Sequence, residues 1–308
     1  MKYLFFCVAL FVNTFSYCQL PNVVAGTIHR IDSFSSKYIT ARNIDIWLPG
    51  GYDTSKQYPV IYMHDGQMLF DSATTWNKTA WDVDDVITRL VTEHKMPKVI
   101  VVGIWNGGAT RHADYFPQKP FESLTMEQRK MIYEAARSNG YSVFGNHEIQ
   151  SDNYLKFIVE ELKPYIDHTY PTLKDAKNTF IGGSSMGGLI SMYAICEYPA
   201  IFGAAICMST HWPGIFSMEQ NPIPEAFNSY LANNLPNPKQ HKIYFDYGTK
   251  TLDSLYEPLQ TKIDHTMRKK WYTKKQWETL KFEGDNHSEI AWKKRLHIPF
   301  TFIFKDYK

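Results

Sequence analysis

The chain has 308 residues, 44% of them hydrophobic, with 33 basic and 31 acidic side chains and a formal net charge of +2. That length and apolar content suit one large domain with an ample core. The near balance of charge excludes the long-range field of a nucleic-acid-binding protein. Charged clusters are short, as in Arg268-Lys269-Lys270 and Lys293-Lys294-Arg295, and read as solvated helix faces. Aromatic content is high, at 15%, which serves either packing or a cleft that stacks on sugars or aryl groups.

Residues 1–18 read as a signal peptide. Lys2 gives a positive start, Tyr3 to Val12 an apolar run too short to span a bilayer, and Ser16-Tyr17-Cys18 places small residues at −3 and −1 before Gln19. Cleavage after Cys18 is expected to leave residues 19–308 as a single soluble domain, secreted or periplasmic. A lipid anchor on Cys18 is the alternative, with Phe15-Ser16-Tyr17 a poor lead-in for it. Cys196 and Cys207 then remain, one in an expected helix and one in an expected strand, and read as two buried thiols. No Cys/His spacing resembles a zinc site and His-Glu-x-x-His is absent, so neither metal nor cofactor is expected.

Two strand-like runs come first, around Gly26–Ser33 and Arg42–Leu48, the second ending at the turn cluster Pro49-Gly50-Gly51. Pro59–Met63 and Val99–Val102 are continuous apolar runs, the pattern of strands buried on both faces, with a helical period from Trp81 to His94 between them. Residues 104–150 break this rhythm with Gly, Asn, Pro and aromatics around one helical piece near Met126–Arg137. They read as a lid-like insertion, too short for a core of its own. From Asp152 the rhythm returns: helix to Ile166, strand Thr179–Ile181, helix from Met186, strand Phe202–Met208, helix near Glu225–Ala232, strand Lys242–Tyr247, helix Ser254–Lys269, strand Trp277–Phe282 and a closing helix from His287. Such alternation predicts an α/β fold: a mostly parallel central sheet with helices on both faces.

The strongest chemical signal is Gly183-Ser184-Ser185-Met186-Gly187, a Gly-x-Ser-x-Gly pattern between a predicted strand and helix. A serine on that tight turn projects its hydroxyl out of the sheet, glycines relieve the bend, and the helix N-terminus aims free N–H groups at a developing oxyanion. Ser184 would point the other way. Serine needs a positioned base, and His287 directly follows the last predicted strand. His64 and His211 also follow strands and fit substrate contact better. For the acid, Asp246 lies inside a predicted strand and Asp253 in the loop beyond it. Asp253 is favoured, since a loop carboxylate can bend towards imidazole Nδ1, although it would also serve as a helix N-cap.

Tyr62-Met63-His64-Asp65-Gly66-Gln67, Gly183 to Gly188, Gly248-Thr249 with Asp253, and Gly284-Asp285-Asn286-His287 together resemble the putative-esterase family of α/β-hydrolases. That family includes enterochelin esterases, feruloyl and acetylxylan esterases of carbohydrate esterase family 1, and mycolyltransferases. The resemblance spans about residues 25–305, with its blocks in the family's order. It implies an oxyanion hole from the backbone N–H groups of Met186 and Gln67. The stretch from Val102 through Trp105, Arg111, Asp114, Tyr115 and Pro117 is similar to the siderophore-esterase branch, with Asp114 where that branch often has Glu. Trp105, Arg111 and Tyr115 are accordingly candidate substrate contacts, with His64 and His211. Trp212, in a segment individual to this chain, either walls the cleft or packs beneath the insertion.

These readings converge on a secreted serine esterase that cleaves a carbohydrate acetyl or feruloyl ester, or a siderophore ester, through an acyl-enzyme. Its partner would be a small-molecule or polysaccharide substrate, with no nucleic acid and no membrane span. An acyltransferase or a serine peptidase would use the same fold and triad. A non-catalytic carbohydrate- or siderophore-binding protein would be expected to break it.

Overall fold

The computed structural model describes residues 19–307, so the expected signal peptide lies outside the described residues. In chain order the elements are β1 (Thr27–Phe34), β2 (Arg42–Leu48), β3 (Val60–His64), α1 (Val83–Thr92), β4 (Ile100–Ile104), α2 (Arg111–Tyr115), α3 (Gln118–Glu122), α4 (Met126–Tyr133), α5 (Ser151–Lys156), α6 (Lys163–Thr169), β5 (Thr179–Ser184), α7 (Met186–Glu197), β6 (Ala204–Met208), α8 (Ile223–Asn234), β7 (Lys242–Gly248), α9 (Tyr256–Lys269), β8 (Trp277–Phe282), α10 (Glu289–Arg295) and α11 (His297–Phe304). One π-helical segment, Phe157–Leu162, joins α5 to α6.

The eight strands form one sheet in the order β1-β2-β4-β3-β5-β6-β7-β8. β1–β2 and β2–β4 pair antiparallel, and every later pair is parallel. Side chains alternate between two cores with the two-residue period of a strand. Val60 and Tyr62, with Ile243 and Phe245, enter one core; Ile61 and Met63, with Tyr244, enter the other. Helices α5–α9 cover the first face through residues such as Leu155, Leu189, Phe227 and Ile263. Helices α1, α10 and α11 cover the second through Ile87, Trp292 and Phe300. This is the mostly parallel α/β-hydrolase arrangement that the sequence predicted. No helix among the described residues is long and apolar enough to cross a membrane.

Most aromatics of the insertion turn inward: Tyr115, Phe116, Phe121 and Phe144 are buried and join the larger core, while Tyr141 is exposed. The insertion's predicted helix stops at Tyr133, having started from a capping box in which Thr125 and Gln128 satisfy each other's backbone N–H. Cys196 and Cys207 are both buried and unpaired.

The chain runs from β3 outward to β4 and then returns to β5 on the other side of β3. This reversal opens a crevice at the carboxyl ends of β3 and β5, where open α/β sheets bind ligands. The loops that follow these two strands, with those after β4, β7 and β8, build the site.

Candidate active site

Ser185 occupies the bend between β5 and α7 with φ 57° and ψ −120°. That conformation is strained for a residue with a Cβ, and its surroundings hold it there. The Ser185 N–H donates to Met208 O at 2.9 Å, and its carbonyl accepts from His211 N–H at 3.2 Å. A Cβ on Gly183 would lie 3.1 Å from the Gly187 backbone, so a side chain there would press on the first turn of α7. Met186 opens α7, so its N–H has no acceptor within the helix.

On the β3 side, Asp65 has φ 56° and leads into a single 3-10 turn, Gly66–Met68. Met68 N–H closes this turn onto Asp65 O at 2.8 Å, and the Gln67 N–H precedes that bond. Gly66 passes so close to β4 that a Cβ would sit 2.4 Å from the carbonyl carbon of Gly103. Arg111 clamps Asp65 bidentately, Nε to Oδ1 at 2.6 Å and Nη2 to Oδ2 at 2.7 Å. Asn106 Nδ2 adds a bond to Oδ1 at 2.7 Å, and the Asp65 N–H donates to the Tyr115 hydroxyl at 3.3 Å. Burial alone would raise the Asp65 carboxyl, but the Arg111 charge and these hydrogen bonds outweigh it and hold it below the ordinary carboxylate range.

On the other side, His287 lies between β8 and α10, and Asp253 in the turn Thr251–Leu255 after β7. His287 Nδ1 is 2.5 Å from Asp253 Oδ1. The His287 N–H donates to Thr251 Oγ1 at 2.9 Å, and the ring stands edge-on to Trp292 with centroids 4.9 Å apart. Asp253 Oδ2 accepts from the Gly248 N–H and from Ser209 Oγ, each at 2.6 Å. Burial would raise this carboxyl too; the bonds from His287, Ser209 and Gly248 outweigh it and lower the pKa. Asp246, the competing carboxylate, touches no imidazole. It is buried within β7 and accepts from Arg295 Nη2 at 3.0 Å, Ser209 N–H at 3.0 Å and the Tyr244 hydroxyl at 3.1 Å. Its burial pushes its carboxyl up.

Ser185 and His287 border one cleft of about 330 Å³, together with Asp65, Arg111, Arg137 and Trp76. Ser184, expected to face away, is buried yet also borders it. A second cleft of similar volume opens at the amino ends of β5–β7, among Lys177, Lys239 and Lys275, and carries no nucleophile–base pair. Among the described residues no group of three or more His, Cys, Asp or Glu side chains is arranged to hold a metal ion.

Of the residues read as substrate contacts, Arg111 alone borders the cleft. His64 is buried with Nδ1 2.8 Å from the Tyr154 hydroxyl, and burial lowers its pKa to about 3, so it is neutral. His211 is likewise buried against the Tyr256 hydroxyl at 2.8 Å. Tyr115 is fully buried, its hydroxyl bonded to Asp65 N–H. Trp212 takes the packing alternative: it is buried against Phe245, its Nε1 donating to Gln260 at 2.7 Å. Trp105 turns towards β1 and β2, donating to Asp45 Oδ2 at 2.8 Å beneath the Arg30 guanidinium.

Sequence reasoning missed Trp76, 81% exposed at the cleft, and Arg137, whose guanidinium lies over the Phe216 ring. It also misread Arg295. Lys293 and Lys294 are solvated as expected, but Arg295 is only 2% exposed. A charged triplet on a seven-residue helix spans faces that differ in burial, and the signal that separates them is the 3.6-residue period to Ala291 and Trp292.

Residues 35–300 match the family described as putative esterase. The chain belongs to that family. It is 22% identical over 301 residues to an endo-1,4-beta-xylanase/feruloyl esterase of Xylanibacter ruminicola, covering 94% of this chain and 33% of that protein. Matches to the curated relatives span from about a third to about three-quarters of those proteins' own lengths. The fold is similar to that of a ferulic acid esterase of Anaeromyces mucronatus, with TM-score 0.60 and 19% identity over 93% of this chain and 92% of the other. It is also similar to an enterobactin esterase of Shigella flexneri, with TM-score 0.63 and 15% identity over 94% of this chain and 61% of that one.

Proposed function

We propose that this chain, a carboxylic ester hydrolase by family, works through Ser185 as nucleophile, His287 as general base and Asp253 as the group that orients His287. The observation that carries this reading is the His287–Asp253 bond at 2.5 Å beside the same cleft as the strained Ser185 turn. With Nδ1–H given to Asp253, Nε2 is left to take the Ser185 proton as the oxygen bonds to the ester carbonyl carbon. The N–H groups of Met186 and Gln67 receive the oxyanion, each worth about 3 kcal/mol in such sites. Arg111, by clamping Asp65, holds the loop that carries Gln67. Collapse of the tetrahedral intermediate breaks the ester C–O bond, and His287 returns the proton to the leaving alcohol. Water, activated by the same imidazole, then cleaves the acyl-enzyme.

The substrate class proposed is an acyl ester of a carbohydrate, feruloyl or acetyl, with a siderophore ester as the second reading. Relatives named as feruloyl and enterobactin esterases support these in turn, and Trp76 offers an exposed indole on the cleft that Ser185 borders, for an aryl or sugar ring. Export after cleavage near Cys18 completes the proposal, supported by the run from Lys2 to Cys18.

Ser185→Ala should abolish hydrolysis of aryl acetate, methyl ferulate and acetyl-xylan with an unchanged circular dichroism spectrum. Triad serines contribute on the order of 10⁶ in rate. Retention of more than about a hundredth of wild-type turnover would remove Ser185 from the role.

A further inference from the structure

Ser209 follows β6 in a left-handed conformation, φ 40°, and is fully buried. Its hydroxyl has three neighbours: Trp292 Nε1 at 3.0 Å, Arg295 Nη2 at 2.8 Å and Asp253 Oδ2 at 2.6 Å. An indole N–H and a guanidinium can only donate. They take both lone pairs of the Ser209 oxygen, so its one proton has a single destination, Asp253 Oδ2. That oxygen also accepts the Gly248 N–H. With two donors directed at it, Oδ2 has no room for a proton of its own, and Oδ1 remains for His287.

Arg295 is itself fixed. Its Nη2 also meets Asp246 Oδ1 at 3.0 Å, and its Nη1 meets Asp285 Oδ2, two residues before His287, at 3.1 Å. Asp246 in turn accepts the Ser209 N–H and the Tyr244 hydroxyl. The other titratable groups around the imidazole are Tyr256, edge-on to it at 5.9 Å, His211 bonded to Tyr256, and, along the cleft lining, Glu289, Arg137 and the Asp65–Arg111 pair.

We propose that Ser209, with its hydroxyl polarity dictated by Trp292 and by the Arg295–Asp246 pair, is a positioning residue that keeps Asp253 ionised and His287 in its Nδ1–H tautomer. The inference rests on the Ser185–His287–Asp253 reading and deepens it. Asp246, which the sequence offers as a rival acid, instead anchors the arginine that orients Ser209.

The test is Ser209→Ala, assayed on an aryl acetate for kcat, KM and the pH profile of kcat/KM. Turnover per folded molecule should fall about 10–100-fold, as for outer-shell partners that orient a histidine, with KM unchanged. The acidic limb should move to higher pH, because a carboxylate that has lost a donor attracts the imidazolium more strongly. Trp292→Phe, which keeps an aromatic ring beside His287 and removes one of the two obligate donors, should move the limb in the same direction by less. A lower melting temperature with kcat and the acidic limb both unmoved would mean a structural role alone and overturn the proposal. Should Ser209→Ala fail to fold, an unmoved limb in Trp292→Phe would overturn it equally. Full activity in Asp253→Asn would instead sink the triad reading, whatever Ser209 does.

Discussion

Asp65 and Asp253 flank Ser185 at one edge of the sheet, one following β3 and the other β7, and both are largely buried. Arg111 takes both oxygens of Asp65. Asp253 gives one oxygen wholly to His287 and the other to two neutral donors, while its nearest cation, Arg295, stands 3.9 Å away and is bonded to Asp246. A carboxylate matched to a permanent cation can hold a loop in place but has little charge left for anything transient. One held by neutral donors keeps its charge for the imidazolium that forms during turnover. Two similar side chains at similar depth are thereby suited to different work, and the partner decides which.

The largest expected effect separates them directly. Asp253→Asn should lower kcat by roughly 10⁴, because an amide in place of the carboxylate favours the wrong imidazole tautomer. Asp65→Asn should cost only about 10–100-fold, through a displaced Gln67 loop, together with a lower melting temperature from the unpaired, partly buried Arg111. Steady-state kinetics beside thermal melts read both. Equal losses in kcat would erase the distinction.

A smaller effect contrasts two tryptophans. Trp76 is exposed at the cleft, whereas Trp105 is spent on Asp45 and Arg30. Trp76→Ala should change the kcat/KM ratio between methyl ferulate and a short alkyl ester by about 2–10-fold, the worth of one aromatic contact. Trp105→Ala should lower the melting temperature and leave that ratio alone. A ratio that moves with Trp105 and not Trp76 would relocate the binding surface to the β1–β2 side.

Much of this is legible in the amino-acid sequence. Val99–Val102 is a short apolar run and Lys242–Tyr247 a largely apolar one, each followed by glycine, so their strands emerged within a residue or two. Chain order placed His287 after the last strand, and the loop position of Asp253 ranked it above Asp246, which lies within a strand. What resisted was direction. Trp105 and Tyr115 belong to the expected insertion, but no period in an irregular segment says which way a side chain turns, and both turn from the cleft. Within the lid-like insertion Phe116, Phe121 and Phe144 bury themselves in the core, where they gain more from packing than from exposure, while Tyr141 stays in solvent. Ser209 and Arg295 carry no motif at all. Their roles arise from three elements meeting in space.

Asp84 extends the comparison to a buried carboxylate with no cation on it. Its Oδ2 accepts the Val24 N–H at 2.8 Å, and its Oδ1 has no partner. Burial, offset only in part by that bond, pushes its carboxyl up from 3.8 to about 6, with Asp85 and Asp82 adding to the rise. The native state therefore binds this proton more readily than the unfolded chain does. The stability it contributes is fully present below pH 3.8 and is lost as pH rises through 6. Asp84→Asn should accordingly raise the melting temperature at pH 8, with the gain shrinking to nothing near pH 4. A gain independent of pH would mean that the carboxyl is not the strained group.

The central claim is that Ser185, and no other serine, is the nucleophile activated by His287 over Asp253. A fluorophosphonate that labels activated serines, followed by peptide mass spectrometry, tests it most directly. One adduct per chain, on the peptide containing Ser185 and absent in both Ser185→Ala and His287→Ala, is the expected result. Labelling that persists in Ser185→Ala, or that falls on Ser209 or another serine, would contradict the account.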